Sequence, residues 1–286
     1  MFRLGYNTNG LAHHRLLESL ELVSELGYEA LAITPDVGQL DLFQLDADEV
    51  GQVARRSSEL GLELAVETGA RFVLDPRRKH FPSLLEDTAA ERARRLDYLL
   101  RSVDLAQLLG ANVVSIWAGV APGGATGDEG QHPALMERLC DELRKLLRYA
   151  RGSGVQIAFE PEPGMFIERP CGYERLVEQL GADGDTLGLT LDVGHLLVTN
   201  DLPVAKTIRD CAHRIVHVHL DDIRDGVHEH VMFGAGELDL PATLSALLEA
   251  DYTGIAAVEL SRDSHRGAQA AAEAMDMLRA ALAHTA

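Results

Sequence analysis

An amphipathic run closed by glycine and followed at once by a short apolar run recurs along the chain, in SELGYEALAIT, SELGLELAVET, QLLGANVVSIW, RGSGVQIAFE and ADYTGIAAVEL. The first part of each carries the 3.6-residue period of a helix, glycine supplies the left-handed stop, and the apolar run reads as a buried strand. The opening RLGYNTN and the runs LGLTLDVGH and RIVHVHLDD add three more strands. Strands are therefore predicted near residues 3–8, 29–34, 62–67, 112–117, 155–160, 187–192, 214–220 and 254–260. Their spacing is about 36 residues, the length of one βα unit. Near-continuous apolar strands alternating with helices predict a parallel sheet covered on both faces. Eight units favour an α/β fold closed into one (β/α)₈ TIM barrel, a single domain over residues 1–286. No GxGxxG follows the first strand, which argues against a dinucleotide-binding sheet.

The helices agree with this count. Residues 14–26 put Leu16, Leu17, Leu20, Val23 and Leu26 on one stripe, and Thr88 with Glu91 has capping-box spacing before a long helix reaching Leu109. Pro133, Pro203 and Pro241 sit where first-turn prolines belong. The segments 68–87 and 118–133 are the longest irregular stretches, and both follow strands, so both are expected over the catalytic mouth.

Charge narrows the function. The chain carries 26 Lys and Arg against 45 Asp and Glu, a net −19, which repels polyanions and disfavours a nucleic-acid partner. Arg92, Arg94 and Arg95 read as a solvated helix face. Three cysteines without CxxC spacing fit a reducing cytoplasm, with Cys140 and Cys211 in the core. No signal-peptide pattern and no long apolar stretch is present, so a cytoplasmic protein without a membrane partner is expected.

Candidate chemistry gathers at strand ends. The fifth to eighth strands finish in Glu160, Asp192, His219 and Glu259, each straight after apolar residues. Three carboxylates converging on one mouth repel each other unless a cation compensates them. Three oxygens and an imidazole suit one divalent ion, with Mn²⁺ preferred over Mg²⁺, Co²⁺ or Zn²⁺. His217 and His219 share a strand face, so both are able to point inward.

This constellation resembles the xylose-isomerase-like barrel superfamily of sugar isomerases, sugar epimerases and apurinic-site endonucleases. The pieces that carry the resemblance are AFEPEPG at 158–164, LDVGH at 191–195, HVHLDD at 217–222, FGAGELD at 233–239 and VEL at 258–260. It implies that Glu160, Asp192, His219 and Glu259 ligate the metal, and that His217 is a packed barrel residue. It also implies that His195 meets substrate hydroxyls or a further metal, where the plainer reading is a cap on the next helix. Arg224 is a candidate for a hydroxyl or phosphate, although its spacing departs by one from epimerase relatives. His228 and His230 are candidates for a second metal or substrate, or simply dress a loop. Glu67 and Trp117, ending the third and fourth strands, are expected substrate contacts, Trp117 by stacking on a sugar face unless it only packs the core. Arg71, Arg77, Arg78, Lys79 and His80 form a cationic loop for an anionic or polyhydroxyl substrate, or a surface or subunit contact.

The expected activity is that of a metal-dependent isomerase or epimerase of a small hydroxy-carbonyl sugar, without organic cofactor and acting as a homo-oligomer. Glu160 and Glu259 would exchange the proton on opposite faces through a metal-stabilised enediolate. Alternatives are a lyase or dehydratase of an oxidised sugar, a phosphodiesterase like the apurinic-site endonucleases, and a barrel that only binds a ligand. The phosphodiesterase is disfavoured because the third and fourth strand ends, VETGAR and SIWAG, lack histidine.

Overall fold

The computed structural model describes residues 1–283. Its strands are β1 (Arg3–Asn7), β2 (Ala30–Ile33), β3 (Glu63–Glu67), β4 (Val113–Ile116), β5 (Gln156–Phe159), β6 (Gly188–Asp192), β7 (Ile215–Leu220), β8 (Asp222–Arg224), β9 (Val227–Val231) and β10 (Ile255–Val258). The helices are α1 (Leu16–Leu26), α2 (Ala47–Leu60), α3 (Ala89–Leu109), α4 (Pro133–Ala150), α5 (Pro170–Leu180), α6 (Val193–Val198), α7 (Val204–Cys211), α8 (Leu240–Glu249) and α9 (Gly267–Ala283). A closed barrel runs in the order β1-β10-β7-β6-β5-β4-β3-β2, the (β/α)₈ arrangement expected from the sequence. The short antiparallel pair β8–β9 is an addition that the apolar pattern did not announce. No described helix is long and apolar enough to cross a membrane.

The chain groups into two compact units. One comprises Met1–Ile33, Val53–Leu64 and the chain from Thr190 onward; the other comprises Thr34–Gln52 and Ala65–Leu189.

In the first unit β10 lies between β1 and β7, with Tyr6 beside Val258 and Val258 beside Leu220. This register brings the C-terminal ends of the three strands level, so the residues that follow them emerge at one edge. The strands are apolar because both faces are covered; every residue of β2 and β10 is buried. Gly5 is required in β1, since a Cβ there would come within 2.9 Å of Ile255 Cγ2. On α1, Leu16, Leu20 and Val23 are buried while Leu17 and Leu26 are half-buried, and Gly27 ends the helix at φ 89°.

In the second unit β4 pairs with β3 and β5. Thr88 caps α3, accepting from the Glu91 amide at 3.3 Å and donating to the Glu91 carboxylate at 2.6 Å, and Gly110 ends the helix in the left-handed region. Pro133 opens α4, and Cys140 is buried on it as expected. Of the other two prolines, both in the first unit, Pro241 lies in the first turn of α8 as expected, whereas Pro203 stands one position before α7, outside its first turn and without a cap hydrogen bond.

Arg95 departs from the sequence expectation. Arg94 is exposed and Arg92 half-buried, but Arg95 is fully buried. It shares the packed face of α3 with Tyr98, Leu99 and Ser102, the i, i+3, i+4 and i+7 positions of a helix stripe, so periodicity outweighs the charge of its neighbours. Its guanidinium lies 4.0 Å from the Trp117 ring centroid and Nη2 donates to the Thr68 carbonyl at 3.0 Å. Burial pulls its pKa down to about 10.

Candidate metal centre

The site begins where β6 turns into α6 without a connecting loop. Asp192 is the last residue of the strand and the N-cap of the helix, and Oδ1 accepts the His195 amide at 2.9 Å. The cap is therefore Asp192, not His195. One carboxylate oxygen is spent on the helix. The other, Oδ2, is buried and has no hydrogen-bond donor among the described residues. It lies 3.5 Å from His195 Nε2 and 3.6 Å from His219 Nδ1.

His219 is on β7 opposite Ala257 of β10, and the Glu259 amide donates to the Leu220 carbonyl at 3.0 Å, which sets Glu259 beside the histidine. His219 Nδ1 faces Glu259 Oε2 at 3.0 Å. The donor atoms of Asp192, His219 and Glu259 lie within 4.8 Å of one another. Burial by itself would raise both carboxyls. The imidazoles of His195, His219 and His230 outweigh it at Asp192 and hold that carboxyl well below the usual range, while His219 brings Glu259 down to about 2. A buried and a half-buried carboxylate and an imidazole turned on one another, with a carboxylate oxygen that has no hydrogen-bond donor among the described residues, are a donor set that fits a divalent cation. His217, one pair of residues deeper on β7, is fully buried and packs edge-on against His219 at 5.0 Å, as expected for a barrel residue.

A second cluster adjoins the first. His195 Nε2 lies 3.0 Å from His228 Nε2, and His228 Nε2 lies 2.7 Å from His230 Nε2. The hairpin β8–β9 carries the latter two, and Asp222 builds the turn beyond it. The Asp222 carboxylate accepts the amides of Ile223, Gly234, Gly236 and Leu238 at 2.8 to 3.0 Å. This explains why HVHLDD and FGAGELD occur together, a role the sequence reading did not assign to Asp222. Asp221, fully buried, pairs with His230 Nδ1, and its charge raises the His230 pKa against the opposing effect of burial. Burial, with the neighbouring His195 and His230, lowers His228 to about 3.

The remaining candidates belong to other elements. Arg224 ends β8 as an exposed side chain. In the second unit Glu160 follows β5, Glu67 ends β3 and Trp117 follows β4, all three buried. Glu162, half-buried, donates its amide to the Ile167 carbonyl at 3.0 Å. Trp117 is enclosed between Arg95 and the edge of His80, at 4.0 and 5.2 Å. Within the cationic loop, Arg71 pairs with Asp36, and Arg78 pairs with Asp75 and lies over Phe81.

A residue absent from the sequence reading completes the first cluster. Asn9, in the turn after β1, donates Nδ2 to Glu259 Oε1 at 2.6 Å. The asparagine-rich turn NTNG at the end of the first strand was the available signal.

A xylose isomerase-like TIM barrel model matches residues 20–281. The L-ribulose-5-phosphate 3-epimerase of Salmonella paratyphi C (strain RKS4594) is 28% identical over 278 residues, covering 93% of this chain and 90% of the relative. The enzyme of the same name from Shigella flexneri serotype 5b (strain 8401) is 26% identical over 274 residues, with the same coverage. Among solved structures, an L-ribulose 3-epimerase superposes with a TM-score of 0.78 at 20% identity, covering 100% of this chain and 96% of that one. The Escherichia coli 3-keto-D-glucoside 4-epimerase gives 0.77 at 19% identity, covering 98% and 100%. These structures share the fold, and the family model spans most of the sequence: the chain belongs to the xylose isomerase-like TIM barrel family.

Proposed function

We propose that this protein is a divalent-metal-dependent epimerase of a ketose or a similar hydroxy-carbonyl sugar. The observation that carries the reading is the buried Oδ2 of Asp192, without a hydrogen-bond donor among the described residues, facing His195 and His219, with Glu259 against His219. Asp192, His219 and Glu259 hold the cation, with Glu160 as the fourth ligand in keeping with its motif AFEPEPG. Mn²⁺ suits this oxygen-rich set. The names of the relatives, 3-epimerases of ribulose and its phosphate, favour epimerisation over the other reactions open to such a site.

A bound divalent ion supplies the positive charge that makes a carbon beside a carbonyl acidic. The protein's own residues do the rest. Glu259 takes the proton from that carbon on one face, and Glu160 returns one on the other, which inverts the centre. Glu259 is prepared for this role, since one oxygen is fixed by Asn9 and the other is turned toward His219. His195 is the proposed hydroxyl contact on the α6 side, and Arg224 and Glu67 are further proposed contacts, whereas the ring of Trp117 is taken up by Arg95 and His80.

A second reading rests on the His195, His228 and His230 cluster, whose ligand atoms also lie within 4.8 Å of one another. A further cation held there would suit a phosphoryl-bearing substrate or the phosphodiesterase chemistry of a polynuclear centre. Metal analysis of the purified protein, followed by turnover of ribulose, ribulose 5-phosphate and other ketoses in D₂O, separates the readings. One ion per chain and deuterium at the carbon beside the carbonyl are expected for the epimerase. Protein that takes up no divalent ion and exchanges no proton on the whole panel would sink it, whereas several ions with hydrolysis of a phosphodiester would establish the second.

A further inference from the structure

Asn9 is held at every polar group but one. Its amide N–H donates to Asn7 Oδ1 at 3.1 Å, and its carbonyl accepts from Ser264 Oγ at 2.6 Å. These contacts join the turn after β1 to the 3₁₀ turn Ser261–Arg266 that follows β10. The side chain then reaches Glu259, which lies 250 residues away in sequence. The orientation of the amide is decided by chemistry, because turning it over would set Oδ1 against an ionised carboxylate. Nδ2 must be the atom that faces Glu259. Oδ1, buried on the other side, is left without a donor among the described residues.

An arrangement that buries an unsatisfied acceptor is not one chosen for stability. What it does secure is the carboxylate. Glu259 has two oxygens; Asn9 occupies Oε1, and Oε2 is left to face His219 Nδ1 at 3.0 Å. Without Asn9, rotation about the last torsion of Glu259 would exchange the two oxygens and swing the group, since that torsion is broad and roughly two-fold. Outer partners of ligating side chains commonly perform this function.

We propose that Asn9 is the positioning residue of Glu259, fixing the carboxylate so that one oxygen faces the metal centre and the reacting carbon. The inference rests on the metal-centre reading above. The test compares the wild type with Asn9→Ala and with Asn9→Leu, which preserves bulk but cannot donate. Mn²⁺ affinity is measured by competition with a fluorescent chelator, alongside the thermal midpoint of the metal-free proteins. Both variants are expected to bind Mn²⁺ roughly 10- to 100-fold more weakly, the usual loss for removal of such a partner. Their metal-free midpoints should stay close to the wild-type value. On a ketose that the wild type epimerises, kcat should fall while KM changes little.

A packing role predicts instead that Asn9→Leu retains wild-type affinity. That result, or unchanged affinity in both variants, would overturn the assignment of Asn9 and leave the metal centre standing. Loss of metal-free stability in step with affinity would also count against it. A wild type that binds no Mn²⁺ would remove the metal centre itself, and the role of Asn9 with it.

Discussion

Gly194 lies in the first turn of α6, between Asp192 and His195, and its replacement tests how tightly the centre is packed. A Cβ built there would lie 2.0 Å from Asp221 Oδ1 and 2.7 Å from Cγ, far inside any real contact. The backbone itself is helical, so alanine would otherwise be favoured over glycine by about 1 kcal/mol. Any loss must therefore come through Asp221. That carboxylate is fully buried and paired with His230, so it has nowhere to move without strain or separation from its partner. Overpacking costs about 1–3 kcal/mol, and breaking a buried pair costs about 3–5 kcal/mol. Partial relaxation and the helix gain reduce the sum, leaving an expected net destabilisation of about 2–4 kcal/mol for Gly194→Ala. The assay is equilibrium urea unfolding in the presence of chelator, so that ion binding does not contribute. In an Asp221→Ala background the same change should cost less than about 0.5 kcal/mol, because the clashing atoms are gone. Gly194→Ala with stability within about 0.5 kcal/mol of wild type, or an equal cost in both backgrounds, would show that Asp221 does not crowd this position.

The two glutamates proposed to exchange the proton give a sharper functional test. Glu160→Gln and Glu259→Gln keep the shape but not the basicity, and each should lower turnover at least about a hundredfold; initial rates on the epimerised ketose check this, and near-normal rates in both would exclude the two-base scheme. Thr88→Ala removes both Thr88–Glu91 hydrogen bonds from the start of α3. It should cost about 1 kcal/mol in urea unfolding, with kcat and KM unaltered; a loss of activity without loss of stability would show that this helix end does more than cap.

The fold was legible because its signals are local. Each βα unit carries its own period change from helix to strand and its own glycine stop, as Gly27 and Gly110 show. Asp192, His219 and Glu259 were legible for a related reason. Side chains at the ends of parallel strands emerge at one edge, so residues distant in sequence can be grouped once the strands are found. Arg95 was misread because a run of arginines suggests solvent, while its position on the stripe with Tyr98, Leu99 and Ser102 places it inside.

What the sequence determined by itself was therefore the periodic part: eight strands, the helices between them, and the acids and imidazole that close four of those strands. Only the tertiary structure decided the partners. It spent one oxygen of Asp192 on capping α6 and left the other without a donor among the described residues, tied the Asp222 carboxylate to the Ile223 amide and to three amides beyond β9, set Asp221 behind His230 and brought Asn9 onto Glu259. These are contacts between polar groups across large sequence separations. They depend on distances of a few tenths of an ångström and on which lone pair is already engaged, and neither quantity has a period along the chain.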